Sequence, residues 1–136
     1  MANTSGRKRL RFDRTTLHEE ADGQCRAEVF FTFGGQPIRS SAIEANEGKS
    51  PLKAAARATL KAIEQAVEGR FRCSLVDLDH VNALGKDLIA VLVEVSFEGR
   101  NIQVFGSCQK GESEIDSAVK AALNATNRFV ELAMRG

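Results

Sequence analysis

The chain has no tryptophan, no tyrosine, 2 prolines and 2 histidines among its 136 residues. The stacking platforms of a single-strand nucleic-acid reader would therefore have to come from the 8 phenylalanines, which are needed for a core. No apolar run approaches the roughly 18 residues a membrane span requires. Met1-Ala2-Asn3-Thr4-Ser5-Gly6 lacks the apolar centre of a signal peptide, and a cytoplasmic protein is expected. Cysteine is scarce too. Cys25, Cys73 and Cys108 are odd in number, far apart and without a Cys-x-x-Cys pair, so they read as reduced core thiols, and neither a metal nor a cofactor is expected. His18 and His80 fall near matching places in the two halves of the chain, which keeps a paired-ligand role in view beside a plain reading as strand-surface histidines.

Also missing are the common catalytic patterns. There is no Gly-x-Ser-x-Gly and no His-Glu-x-x-His, and Gly48-Lys49-Ser50 lacks the earlier glycine of a phosphate loop. Glu19-Glu20 and Asp77-x-Asp79 are paired acids on expected strand or loop surfaces. The chain is not expected to be an enzyme.

What is present is one domain's worth of residues, 43% of them hydrophobic, enough to build a core. The net charge of +1 conceals a basic N-terminus, Arg7-Lys8-Arg9-Leu10-Arg11, read as a solvated tail over residues 1–8 with salt-sensitive nucleic-acid binding as the rival. The domain proper, 9–136, divides into repeats 9–69 and 70–136. Phe33-Gly34-Gly35 followed by Gly48-Lys49-Ser50-Pro51-Leu52 recurs as Phe97-Glu98-Gly99 followed by Gly111-Glu112-Ser113-Glu114-Ile115. Gly35 and Gly99 are 64 positions apart, and Gly48 and Gly111 are 63 apart, a slip of one residue of loop.

Each repeat reads strand, strand, strand, helix. In the first, Leu10 to Glu20 is a strand, then Ala27, Val29, Phe31 and Phe33 alternate toward a core, and Pro37 to Ala45 returns with Ile38, Ser40 and Ala42 on one face. The helix opens at Ser50, read as N-cap with Pro51 at the first helical position, and carries Leu52, Ala56, Leu60, Ile63 and Val67 on one stripe. Ala54, Ala55, Ala58 and Ala62 leave it slim enough for close packing. In the second repeat, Phe71 to Ala83 reads as a strand with a bulge or register change, and Leu88-Ile89-Ala90-Val91-Leu92-Val93 is apolar on both faces, so both must be covered. One face takes the chain's own helices; the other is left to a second sheet, a second copy of the chain, or both. Ile102, Val104, Gly106 and Cys108 alternate next, and the last helix starts with Ser113 as N-cap. The fold class is α+β: two βββα repeats related by pseudo-two-fold symmetry, with antiparallel sheets packed against two helices. The paired helix starts offer unpaired N–H groups and a positive dipole end, a setting for a small carboxylate or zwitterion.

Gly48-Lys49-Ser50-Pro51-Leu52-Lys53-Ala54 resembles the entrance of the first helix in the C-terminal regulatory domain of 2-isopropylmalate synthase and citramalate synthase. Ile115-Asp116-Ser117-Ala118 with Ala121-Ala122-Leu123-Asn124-Ala125-Thr126-Asn127-Arg128 is similar to that domain's closing helix. The resemblance covers about residues 9–133. It implies an allosteric, dimer-forming domain of leucine biosynthesis that holds a branched-chain amino acid or related carboxylate. The ligand would be contacted by Gly48, Ser50, Pro51 and Ala54, with Gly111, Ser113 and Ala118 as the second wall. Ser50 replaces the family's second glycine and Lys53 its aspartate. An eight-stranded barrel takes roughly 250 residues, so the resemblance implies a regulatory chain whose chemistry belongs to a partner synthase. Association without any ligand is the alternative.

Overall fold

The computed structural model describes residues 9–135, so the basic tail expected over 1–8 lies outside the described residues. Strands β1 (Leu10–Glu20), β2 (Gln24–Phe33) and β3 (Gln36–Ala45) precede helix α1 (Ser50–Ala66); β4 (Arg72–Ala83), β5 (Lys86–Phe97) and β6 (Arg100–Gln109) precede α2 (Glu114–Arg135). Two antiparallel three-stranded sheets result, ordered β1-β2-β3 and β4-β5-β6, giving two βββα units as the periodicity predicts. No helix among the described residues is long and apolar enough to cross a membrane.

Strand patterning sets which face is covered. Ala27, Val29 and Phe31 are at most 1% exposed on β2, and Ile89, Val91, Val93 and Val95 on β5 are equally buried. Pro37 is tolerated because β3 is an edge strand. α1 packs on β2 and β3, α2 on β5 and β6, and the helices pack on each other, while α1 also lies along β4. All four slim-face alanines of α1 are fully buried, as is its apolar stripe. On α2 the close approach is made by the strand: a methyl group on Gly106 would overlap the Ala121 carbonyl and the Ala125 backbone.

Register aligns the two units more closely than motif spacing does. β1 carries its bulge at Asp13 and β4 at Val76, so Arg14 opposite Phe30 corresponds to Asp77 opposite Leu92. On this alignment the second hairpin is longer by the pairs Ser96↔Asn101 and Phe97↔Arg100. The repeats therefore differ in the length of this hairpin and also by one residue in the first connection, where Ala21–Gly23 joins β1 to β2 but only Leu84 and Gly85 join β4 to β5. His18 corresponds to the position after Leu17's counterpart: it lies opposite Arg26 on the outer face, whereas His80 lies opposite buried Ile89. A single-residue offset puts them on opposite faces, so they are not matched ligands. Among the described residues no group of three or more His, Cys, Asp or Glu could hold a metal ion, and the three cysteines are unpaired.

Candidate functional site

At the start of α1 the helix begins one residue earlier than the capping pattern predicts. Lys49 takes the N-cap position, with φ −88° and ψ 0° and no side-chain cap, so Ser50 is already helical and Pro51 follows it. The cause is a tight turn in which Ser50 N–H donates to the Glu47 carbonyl at 3.0 Å. Leu52 and Lys53 N–H both donate to the Lys49 carbonyl, at 3.0 and 3.1 Å, and Pro51 has no N–H. Recognition of an anion by amides of residues 50–53 thus has no unpaired donor to use.

The α2 entrance matches its expected cap. Ser113 Oγ accepts from Asp116 N–H at 3.1 Å, and Ser117 Oγ accepts from Gly111 N–H at 3.1 Å while donating to the Ser113 carbonyl. Two of the local amides are consumed by serines of the entrance itself. Among the residues implied by the resemblance, Gly48, Gly111 and Ser113 are exposed, Ser50 and Pro51 half-buried, and Ala54 and Ala118 fully buried.

Both entrances are tied to the same stretch of β4. Lys49 Nζ meets Asp79 Oδ1 at 2.7 Å and Lys53 Nζ lies 3.7 Å from Asp77, while His80 Nε2 lies 3.6 Å from Glu114. The Lys49 hydrogen bond holds the Asp79 carboxyl below its ordinary value and raises the lysine in turn. Glu114 is likewise lowered, chiefly by its hydrogen bond with Lys110. Asp79 and His80 are consecutive, and their side chains leave the strand on opposite faces. β4 therefore stands between the two helix starts. Further along α1, Glu64 accepts from Cys73 N–H at 2.8 Å and the Cys73 thiol donates to the Leu60 carbonyl, sealing the flank of α1 against β4.

A groove of about 750 Å³ opens elsewhere, at the opposite ends of the helices. Arg9 and Leu10 of the β1 end, Phe33 and Ile38 of the first hairpin, Ala66 of α1 and Val130 of α2 form much of its lining. None of the seven residues implied by the resemblance lines it. The sequence held one sign of it: Ala66 stands 63 positions before Phe129, the helix-to-helix spacing, so a small residue replaces a ring.

The outer face of the second sheet is the other distinctive surface. Leu92 sits in register with Asp77 on one side and Phe105 on the other, with Leu88, Ala90 and Val81 beyond. Phe105 is 79% exposed and Val81 40%. The equivalent place on the first sheet is polar, with Phe30 flanked by Arg14, whose guanidinium is 3.9 Å from the ring centroid, and by Arg39. The duplicated βββα architecture defines the class of this α+β protein. No protein-family model matches the chain, and no curated protein matches it.

Proposed function

We propose that this chain is a non-catalytic regulatory and dimerisation module, related in kind to the regulatory domain of 2-isopropylmalate synthase, in which two copies meet through the outer face of the second sheet. One observation carries the reading: β5 is apolar on both faces from Leu88 to Val93, and on the outer one Leu92 and Phe105 form the centre of a patch on which no helix or strand among the described residues packs. A three-stranded face with strands of 12, 12 and 10 residues offers roughly 540 Å². Two such faces bury a little over 1,000 Å², the lower bound for a specific and reversible interface. The patch has an apolar centre and a rim of Glu94, Gln103 and Ser107, with Asp77 and Asp79 on the β4 side paired to Lys53 and Lys49, the distribution expected of an interface.

Sedimentation velocity across a concentration series tests this. The wild-type chain is expected to pass from monomer to dimer in the micromolar range, and Phe105→Glu to remain monomeric with an unchanged circular dichroism spectrum. A wild-type chain that stays monomeric at all concentrations refutes it. The regulatory half of the proposal is tested by isothermal titration with leucine, isoleucine, valine and their 2-oxo acids, where saturable heat is expected. A second reading, association without a metabolite, is favoured by the α1 entrance, whose first-turn amides are already paired. Absence of heat from all of those compounds selects it.

A further inference from the structure

The two units do not fill equivalent space alike. In the second, the corner between hairpin and helix is occupied by Phe71, Phe97 and Phe129, with ring centroids 6.0 to 6.2 Å apart in each pairing. In the first unit Phe129 is answered by Ala66, and Phe97 has no counterpart, because it belongs to the two pairs by which the second hairpin is longer. Phe71, two residues before Cys73, is answered in the sequence by Lys8, two before Leu10. None of the three rings has an aromatic counterpart in register, and the groove lies at that corner, lined by Ala66 and by Phe33 at the end of the shorter hairpin.

We propose that this groove binds a small carboxylate with an aromatic or comparably bulky apolar body, its ring taking the place that Phe129 fills in the other unit. The proposal rests on the reading of the chain as a ligand-holding module, but moves the ligand to the C-terminal ends of the helices. Leu10, Ile38, Val130 and Met134 supply the apolar wall. The charged rim has three arginines, Arg9, Arg70 and Arg135, against Glu68 and Glu131. Arg70 Nη1 also donates to the Ala133 carbonyl at 3.0 Å, which counters the negative end of α2 within the groove. The remaining guanidinium groups suit a planar carboxylate, which they can bind through two parallel hydrogen bonds.

Isothermal titration of the full chain with 3-phenylpropionate, its amide and 2-phenylethylamine tests the assignment. The acid is expected to bind saturably, with the amide about tenfold weaker for want of a charge-assisted hydrogen bond and the amine weaker still. Ala66→Phe restores the absent ring and is expected to abolish binding while leaving the melting temperature equal or higher. Arg135→Glu, on the exposed rim, is expected to weaken the acid about tenfold and leave the amide unchanged, and it decides the matter should Ala66→Phe fail to fold. The proposal is overturned by no saturable binding of the acid up to about 10 mM, by the amine matching the acid, or by full binding to a folded Ala66→Phe chain. Phe105→Glu separates this from the association reading, because a monomeric chain still has an intact groove and is expected to bind the acid as the wild type does.

Discussion

Replacing Gly106 by alanine probes how tightly α2 lies on the second sheet. The added Cβ would sit 2.5 Å from Ala125 N and 2.6 Å from Ala125 Cβ, besides meeting the Ala121 carbonyl. Ordinary contact begins near 3.4 Å, and most of the obstruction is helix backbone, which has no rotamer to escape into. The helix must therefore retreat by close to an ångström along a seam where Val119, Ala121 and Ala122 are fully buried. Overpacking of this kind costs about 1–3 kcal/mol, and rigid backbone obstruction puts this site at the upper end. Alanine's smaller unfolded-state entropy returns at most about 1 kcal/mol, leaving a net loss of about 2 kcal/mol. For a chain of this size that lowers the melting temperature by about 6–10 °C. Thermal and urea denaturation followed by circular dichroism measure it. Ser40 is the control, since it stands opposite Val29 as Gly106 stands opposite Val91. Ser40→Ala is expected to change stability by less than about 1 kcal/mol. A Gly106→Ala chain within about 0.5 kcal/mol of wild type would refute the close approach of α2.

The remaining predictions concern β4. Asp79 is held below its ordinary value of 3.8 by the Lys49 hydrogen bond, so its contribution to stability is complete above that value and fades only as pH falls through the lower, folded one. Asp79→Asn should therefore lower stability slightly at neutral pH and converge with the wild type at low pH, flattening the acid limb of a stability-against-pH curve; an unaltered acid limb contradicts the pairing. Burial, with a smaller effect of the Glu64 charge, pushes the Cys73 thiol up to about 12. Cys73 should therefore resist iodoacetamide at pH 8 in the folded chain and react once urea is added, as read by peptide mass spectrometry. Rapid native labelling at Cys73 would contradict its place against α1.

Much of the fold was legible because burial follows period. The alternation of Ala27, Val29, Phe31 and Phe33 placed the covered face of β2, and the disrupted alternation around Val76 announced a bulge. The matching bulge at Asp13 was hidden, because Arg11, Asp13 and Arg14 carry no apolar alternation to interrupt. Motif spacing misaligned the hairpins because glycine marks a turn without recording how many cross-strand pairs lead to it. Ser50 looked like a cap on residue type alone, but the Glu47 carbonyl turned the chain into the helix one residue sooner. The apolar outer face of β5 was evident from the run Leu88 to Val93, whereas the groove depends on what Ala66 and the hairpin jointly leave open. That is a difference between repeats, and no single motif contains it.

The clamp between β4 and α1 has a consequence for how the chain can be divided. A fragment ending at Glu68 would keep its own sheet yet lose the strand that closes one flank of its helix, leaving Leu60 and Glu64 without the Cys73 thiol and backbone N–H that bond them. A fragment beginning at Gly69 would in turn carry an edge strand whose Asp77 and Asp79 have lost both lysines. The duplication has therefore passed beyond two beads on a string: each half now completes the other, and separated halves are expected to regain structure only when mixed.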